Sequence, residues 1–178
     1  MISMIIKRKW AMPNTNTFAI PPIANLIARY AEKAACIVDP FARNSRIAHY
    51  RNDLNPNTKA EYHLDCLDFL RLMKEKGVMA DLLFLDPPYT FHQMNEAYQG
   101  VGKKITGRES QRFYGDLRTA ALGILKPRGI VISFGYNSIG MGKSRGCKIL
   151  EILLVCHGRA HNDTIVTVDQ LLHYKLDI

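Results

Sequence analysis

The chain alternates short apolar runs with segments in which apolar residues recur every three or four positions. The runs predict seven strands, at residues 36–38, 47–51, 62–64, 81–85, 130–134, 149–157 and 164–168. The helical spacing predicts helices over residues 20–34, 66–76 and 116–125. Strands that alternate with helices favour an α/β fold with helices on both faces of the sheet.

The length of 178 residues predicts one domain over residues 1–178. Residues 1–35 form an N-terminal arm and the first helix in this interpretation. The polar stretch at residues 90–115 is too long for an ordinary connection, so it is predicted to be a mobile functional loop.

The composition indicates a globular protein, with 47% hydrophobic and 22% charged residues. No apolar run approaches the ~20 residues of a membrane span, and the first residues lack the layout of a signal peptide. We therefore expect a cytoplasmic protein that does not bind a membrane. The four cysteines form no C-x-x-C pair and the six histidines suggest no metal site, so reduced, buried thiols and no metal are expected.

The net charge of +8 is concentrated in one part of the chain. Residues 99–148 hold ten basic and two acidic residues, and the rest of the chain is neutral. Concentrated positive charge indicates a polyanionic partner, although a solvated basic face without a partner is the alternative.

The most informative motif is Asp86-Pro87-Pro88-Tyr89, directly after the apolar run at residues 82–85. The Asp86 carboxylate and the Pro87 carbonyl can each accept a hydrogen bond from an exocyclic amine of a nucleobase. Tyr89 offers a ring on which a base extruded from a duplex could stack. The alternative is a turn at the end of a strand with a surface tyrosine.

This tetrapeptide resembles the D-P-P-Y motif of the amino-methyltransferases, which use S-adenosylmethionine (SAM) to methylate adenine N6 or cytosine N4. The resemblance implies a Rossmann-like methyltransferase fold with a seven-stranded, mostly parallel sheet and an antiparallel last strand. It also implies SAM as cofactor, S-adenosylhomocysteine as product, and a catalytic role for Asp86, Pro87, Pro88 and Tyr89.

Residues 38–45 resemble the D-P-F-x-G-S-G loop that wraps SAM in this family. The resemblance places Asp39, Pro40 and Phe41, together with Phe18, at the cofactor. Where the family has glycines, this chain has Arg43 and Ser45. Asn44, which tolerates left-handed backbone angles, is expected to supply one tight turn.

Two further acidic residues match family positions. Asp53 corresponds to the acid that binds the SAM ribose, and Asp65, with Cys66 beside it, to the acid that meets the SAM adenine. Asp86 also borders the cofactor in this family. For Asp65 a helix cap is an equally good interpretation. Residues 125–132 resemble the L-K-P-G-G turn before the fifth strand of many SAM enzymes.

The pattern looks closest to the small adenine-specific DNA methyltransferases of phages and prophages, which implies double-stranded DNA as partner. The predicted DNA contacts are Lys103, Lys104, Arg108, Arg112, Lys143, Arg145 and Arg159. Three alternatives stay open: a cytosine-N4 enzyme, a ribosomal RNA base methyltransferase, and a non-catalytic nucleic-acid-binding relic. The sequence also leaves open whether the protein is a homodimer.

Overall fold

The computed structural model describes residues 3–158 and 161–173, in which seven strands form one sheet with helices on both faces. The strands are β1 (Ile5–Trp10), β2 (Ile37–Asp39), β3 (Tyr50–Arg51), β4 (Ala80–Leu85), β5 (Leu125–Gly135), β6 (Cys147–Cys156) and β7 (Thr164–Leu171). The α-helices are α1 (Pro21–Ala31), α2 (Cys66–Glu75), α3 (Phe91–Gln99) and α4 (Gly107–Leu122). Within these ranges no helix has the length and apolar character needed to cross a membrane.

The sheet has the order β1-β6-β7-β5-β4-β2-β3, and β7 runs antiparallel to both of its neighbours. All other adjacent strands are parallel. Every strand except β7 therefore ends at the same edge of the sheet, called the carboxyl edge below. The predicted α/β fold with a mostly parallel sheet and an antiparallel last strand is confirmed.

The alternation of side chains along β4 builds the two halves of the core. Leu82 and Phe84 pack with α1 on one face, and Leu83 and Leu85 pack with α2 and α4 on the other. Burying each of these side chains contributes about 1.5–3 kcal/mol to stability. Because β4 is buried on both faces, it holds the motif that follows it on a rigid base.

The first strand, β1, was assigned to an N-terminal arm by the sequence pattern, and that assignment is wrong. β1 pairs in parallel with β6 at the edge of the sheet, from Ile5 opposite Glu151 to Trp10 opposite Cys156. All six of its residues are exposed, so its sequence lacks the alternation that marks a half-buried strand.

The predicted loop over residues 90–115 is instead mostly helical. α3 and α4 each begin with a capping box, formed by Thr90 with Gln93 and by Thr106 with Glu109. α4 also begins nine residues before its predicted start, because the buried Phe113, four residues before Leu117, extends the buried face of the helix by one turn.

Two smaller expectations also fail. The strand predicted at residues 62–64 is reduced to a single bridge between Asn52 and Tyr62. The helix predicted over residues 116–125 ends earlier, at Leu122, and residues 126–129 lie within β5.

Candidate active site

A cavity of about 500 Å³ opens at the carboxyl edge, where the chain leaves β2, β3 and β4. It brings together most of the predicted cofactor residues, which come from four separate segments. Its lining includes Pro40, Phe41, Arg43, Asn52, Asp53, Asp65, Cys66, Asp86, Pro87, Pro88, Tyr89, Tyr98 and Phe113. A cavity of this size and position is typical of a nucleotide-like ligand site in a doubly wound sheet.

The loop after β2 is held by acidic side chains that accept from backbone amides. Asp39 Oδ1 accepts from the Phe41 amide at 2.9 Å, and Asp53 Oδ2 accepts from the Arg43 amide at 3.0 Å. Arg43 has a φ of 49°, so it supplies the left-handed turn that was expected of Asn44. The Arg43 guanidinium also donates to the Thr15 carbonyl at 2.6 Å.

Asn52 was missed by the sequence reasoning, yet it ties the walls of the cavity together. Its side chain is fully buried, donates to the carbonyls of Pro40 and Leu64, and accepts from the Leu64 amide. All three distances are 2.9–3.0 Å. The only sequence signal was its position at the end of a strand, which a surface turn would share.

The helix cap predicted for Asp65 is confirmed, and the residue also lies in the cavity wall. Its Oδ1 caps α2 by accepting from the Leu67 amide at 2.9 Å, while the residue also lines the cavity. Its Oδ2 accepts from the Tyr98 hydroxyl. Burial, followed by this hydrogen bond, raises the pKa of Tyr98, which therefore stays protonated as a donor. The neighbouring Cys66 thiol is buried, which raises its pKa well above the usual value.

Phe18 lies beside the main cavity. Its ring packs against Phe84 and Phe134, with both centroid distances at 5.1 Å. It also lines a smaller cleft together with Phe41 and Asp86. Phe18 therefore packs beneath Asp86, on the face of the sheet that α1 covers.

The Asp86-Pro87-Pro88-Tyr89 segment is fixed by hydrogen bonds from tyrosines. The Tyr89 hydroxyl donates to Asp86 Oδ1 at 2.5 Å, and the Tyr114 hydroxyl donates to the Pro88 carbonyl at 2.6 Å. The Tyr89 amide donates to Gln93 Oε1 at 2.9 Å, which links the motif to the start of α3. Among the described residues, no group donates to the Pro87 carbonyl, so this acceptor is available to a ligand.

Carboxylates dominate the electrostatics beneath the cavity. Asp39 is fully buried, and its Oδ2 has no hydrogen-bond partner among the described residues. Burial, together with the nearby charges of Asp86 and Asp53, raises the pKa of Asp39 to about 8. Burial also raises the pKa of Asp86, against the opposing effects of Tyr89, Thr17 and Arg43. Such a group of acids favours a ligand that carries positive charge.

A second cavity, of about 250 Å³, lies on the other side of Pro87 and Tyr89. Its wall includes Tyr114, Tyr136 and Asn137. The rings of Tyr89 and Tyr136 meet edge to face with centroids 4.9 Å apart. The motif thus separates two cavities and contributes to the wall of both.

The predicted nucleic-acid contacts do not form one surface. Lys104, Arg108 and Arg112 line an open cleft next to Asp65 and Tyr98, and Lys103 precedes them in the chain. Lys143 and Arg145 lie before β6, at the opposite edge of the sheet from Asp86. The Arg145 guanidinium there donates to the carbonyls of Met141 and Gly115. Arg159 lies outside the described residues.

No metal site accompanies these cavities in the part of the chain that the structure describes, where no three His, Cys, Asp or Glu side chains are arranged to hold an ion.

Comparisons with known proteins place this geometry in a fold class. The sequence matches no protein-family model, and no curated protein sequence matches it. Among solved structures it is similar to SMU.776, assigned as a methyltransferase and complexed with SAH, at 11% identity with a TM-score of 0.55. That match covers 82% of this chain and 48% of the other.

Two further structures show the same likeness. TrmN from Thermus thermophilus is 16% identical with a TM-score of 0.54, over 88% of this chain and 50% of that one. NSun6 from Pyrococcus horikoshii with SFG is 12% identical with a TM-score of 0.51, over 83% and 51% of the two chains. The chain thus spans about half the length of each of these structures, and it has the Rossmann-like fold of SAM-dependent methyltransferases.

Proposed function

We propose that this protein binds SAM and transfers its methyl group to an exocyclic amine of a nucleobase, with adenine N6 in double-stranded DNA as the target. The observation that carries the proposal is the position of Asp86-Pro87-Pro88-Tyr89. The segment stands between two cavities, with a carboxylate at Asp86 and a Pro87 carbonyl that accepts no hydrogen bond from the described residues. This arrangement suits a reaction between a cofactor in the larger cavity and a base in the smaller one.

The larger cavity suits the charge of SAM. The cofactor carries a sulfonium and an ammonium against one carboxylate, and the cavity stands above Asp39, Asp53 and Asp86. Asp53 and Asp65 would hold the ribose and the adenine, with Cys66 and Phe41 beside them. When bound, SAM supplies a methyl group on a positively charged sulfur.

The motif prepares the amine for attack. Asp86 and the Pro87 carbonyl accept hydrogen bonds from the two N–H groups of the amine, which draws the nitrogen lone pair out of conjugation with the ring. The raised pKa of Asp86 also makes its carboxylate a suitable acceptor for the proton that the methylated amine must lose. Positioning and local charge carry the reaction, without a covalent intermediate on the protein.

The smaller cavity supplies an aromatic setting for the base. Tyr89 and Tyr136 expose ring surface to it, and Tyr114 fixes the Pro88 backbone beside it. A base that stacks on such a ring must first leave the duplex. The basic cleft of Lys104, Arg108 and Arg112 lies close enough to the larger cavity, through the shared wall of Asp65 and Tyr98, to contact the nucleic-acid backbone.

The test is methyl transfer from labelled SAM to mixed-sequence genomic DNA and to total RNA, with the methylated nucleoside identified by mass spectrometry. N6-methyladenine in DNA is the expected product. Detection of N4-methylcytosine would make cytosine N4 the target instead. Label found in RNA alone would make RNA the substrate. SAM binding without any transfer would favour a non-catalytic protein.

The substitution Asp86→Ala tests the catalytic assignment. We expect it to reduce methyl transfer at least ~100-fold, by analogy with the loss of one preorganised catalytic group, while most SAM affinity remains in calorimetry. Glu75→Ala, which removes an exposed carboxylate at the far end of α2, is the matched control. Equal rates for Asp86→Ala and Glu75→Ala would refute the mechanism.

A further inference from the structure

The edge strand β1 presents an unusual surface. It carries Lys7, Arg8 and Lys9 in succession and ends at Trp10, the single tryptophan of the chain. The Trp10 side chain is 66% exposed, and Ile6 on the same strand is equally exposed. Lone exposed apolar residues are ordinary on protein surfaces, but an exposed tryptophan next to three consecutive cations is typical of a surface that binds nucleic acid.

A groove between β1 and the start of α1 adds to this surface. Its lining includes Lys7, Lys9, Trp10, Pro21, Pro22, Asn25, Arg29 and Glu151. The carboxylate in this set, Glu151, already accepts from Arg29 at 2.9 Å and from Lys7 at 3.0 Å. Burial opposes its ionisation, but these two partners outweigh burial and lower the pKa of Glu151. The groove therefore keeps an excess of positive charge.

The cations that remain are available to a partner. Among the described residues, neither Arg8 nor Lys9 forms an ion pair or a side-chain hydrogen bond. Successive side chains of a strand face opposite sides, so Lys9 faces the groove and Arg8 the other face of β1. Because β1 is an edge strand, phosphate groups of a long polyanion could reach both.

The surface lies on the same side of the molecule as the candidate active site. Because β1 and β6 are parallel, Trp10 lies at the carboxyl edge. Four strand spacings separate β1 from β4, and the register sets Trp10 three residues beyond the level of Asp86. Ideal strand geometry therefore puts the two roughly 22 Å apart, or about six base steps of 3.4 Å. Residues 11–17 run between the two, and Thr15 and Thr17 line the larger cavity.

We propose that β1 and the adjoining groove bind the nucleic-acid strand beside the target base, with Arg8 and Lys9 on phosphates and Trp10 stacked on an unpaired base. This inference rests on the proposed nucleic-acid substrate and adds a surface outside the basic segment at residues 99–148. The indole ring accepts any base by stacking, so the surface positions the strand without reading its sequence.

A second copy of the chain is a less suitable partner for this strand. Two β1 strands paired edge to edge would bring two runs of three cations together, and lysine-rich edges oppose such pairing. Phosphates neutralise the same charges.

The single tryptophan makes a direct test available. A labelled oligonucleotide is titrated with the protein, while its anisotropy and the Trp10 emission are followed in parallel. We expect quenching of Trp10 that saturates together with the anisotropy. SAM added alone should leave the emission unchanged, because Trp10 lies outside the larger cavity. Single-stranded and duplex DNA and matched RNA are compared, and stronger quenching by substrates with unpaired bases is expected.

Variants separate stacking from charge. Trp10→Ala should weaken oligonucleotide binding by about 5- to 150-fold, and Trp10→Phe should retain most of it. Arg8→Ala/Lys9→Ala should reduce the magnitude of the negative log-affinity versus log-salt slope by about 1.4–1.8, which corresponds to the loss of two phosphate contacts. Lys33→Ala/Lys74→Ala, which removes the same charge at the amino edge of the sheet, is the control. The rate at saturating nucleic acid should be unchanged in all of these variants, because only binding of the flanking strand is affected.

The outcomes distinguish this surface from the proposed function itself. Oligonucleotide binding and methyl transfer with unchanged Trp10 emission would overturn the β1 surface and leave the methyltransferase proposal standing. No binding of any nucleic acid would overturn both. A Trp10 emission that depends on protein concentration alone, with a dimer in sedimentation, would assign β1 to a protein interface.

Discussion

Tyr89 has two functions in the candidate site, which its ring and its hydroxyl provide separately. The ring forms part of the smaller cavity, whereas the hydroxyl donates to Asp86 at 2.5 Å. Burial raises the pKa of Asp86, and the hydroxyl opposes that effect by stabilising the carboxylate. The sequence motif predicted the ring but gave no indication of this hydrogen bond.

We expect Tyr89→Phe to move the pH dependence of methyl transfer. Without the hydroxyl, the pKa of Asp86 rises further, so the carboxylate forms only at higher pH. The acidic limb of the kcat/KM profile should therefore shift to higher pH, and the rate at neutral pH should fall roughly 2- to 10-fold. Steady-state kinetics across a pH series measures both effects.

Two further variants complete this test. Tyr136→Phe removes a hydroxyl from the partner ring without touching Asp86 and should leave the profile in place. Tyr89→Ala, which also removes the stacking surface, should cost roughly 5- to 150-fold. A Tyr89→Phe profile that overlays the wild-type one would mean that the hydroxyl does not tune Asp86.

The acidic residues of the site could be predicted because each follows a strand or opens a helix. Asp39, Asp53, Asp65 and Asp86 do converge on one cavity region. The partner of Asp65 could not be predicted, because it comes from a distant segment: Tyr98 reaches Asp65 across 33 positions. Side chains of this kind are identified only once the fold has brought their helices to the site.

Arginine replaces glycine at two turns, and the structure shows that the turns persist. Arg43 has a φ of 49° and Arg128 a φ of 65°, in the positions where the motifs that these turns resemble carry glycine. A left-handed residue other than glycine costs roughly 1–2 kcal/mol. At the first turn, the bonds of Arg43 to Asp53 and Thr15 offset part of that cost. The loop after β2 therefore forms without the glycines of the motif that it resembles.

At the scale of whole elements, α3 and α4 determine the shape of the cavity mouth. α3 carries Tyr98 and α4 carries Phe113, both of which line the larger cavity. α3 is anchored by one buried residue, Met94, and α4 by a stripe of three, Phe113, Leu117 and Ala121. The spacing of four in α4 was readable in the sequence, but the charged residues around it suggested a loop.

The capping box of α4 should contribute measurably to stability. Thr106→Ala removes the acceptor for the Glu109 amide, and we expect a loss of about 1 kcal/mol in the free energy of unfolding by urea. Thr119→Ala is the matched control, since that hydroxyl bonds the Gly115 carbonyl within the same helix and caps nothing. Because alanine has the higher helix propensity, the control should be neutral or slightly stabilising. Equal losses in both variants would show that the box is not what stabilises the start of α4.

The strands show where pattern reasoning succeeds. β4 and the central strands β5 and β7 are apolar runs buried between layers, and each was predicted within a few residues, apart from the start of β5. β1 lies at an edge of the sheet and none of its side chains is buried, so its formation depends on pairing with β6. Such pairing leaves no periodic signal in the sequence.

At the scale of the molecule, the basic segment at residues 99–148 divides between the two edges of the sheet. Arg108 and Arg112 lie in the first half of α4, toward the carboxyl edge. Lys126 lies at the other edge, where it pairs with Asp81 at 2.9 Å. The net charge therefore overstates the positive charge near the site, and the cations of β1 become relevant to any polyanion bound there.

Two buried carboxyls tie the stability of the whole protein to pH. Burial, with the charges of Asp86 and Asp53, raises the pKa of Asp39 to about 8. Burial raises the pKa of Asp169 to about 6, against the opposing Met141 amide and Arg118 charge. An unfolded chain releases these protons near pH 3.9. Between that pH and the folded pKa, the folded state holds more protons, so stability falls as pH rises.

We therefore expect the free energy of unfolding to decrease from about pH 4 to pH 8, measured by urea denaturation at each pH. Each carboxyl contributes a slope of up to about 1.4 kcal/mol per pH unit, for Asp169 below about pH 6 and for Asp39 up to about pH 8. Asp169→Asn should flatten only the lower part of this range relative to wild type, whereas Asp39→Asn should flatten all of it up to about pH 8. Because all three proteins have the same histidines, the histidine contribution to the pH dependence cancels when each variant is compared with wild type. If Asp39→Asn has the wild-type slope between pH 6 and pH 8, Asp39 is ionised in the folded protein throughout that range, and the acids beneath the cavity are less strongly coupled than their burial implies.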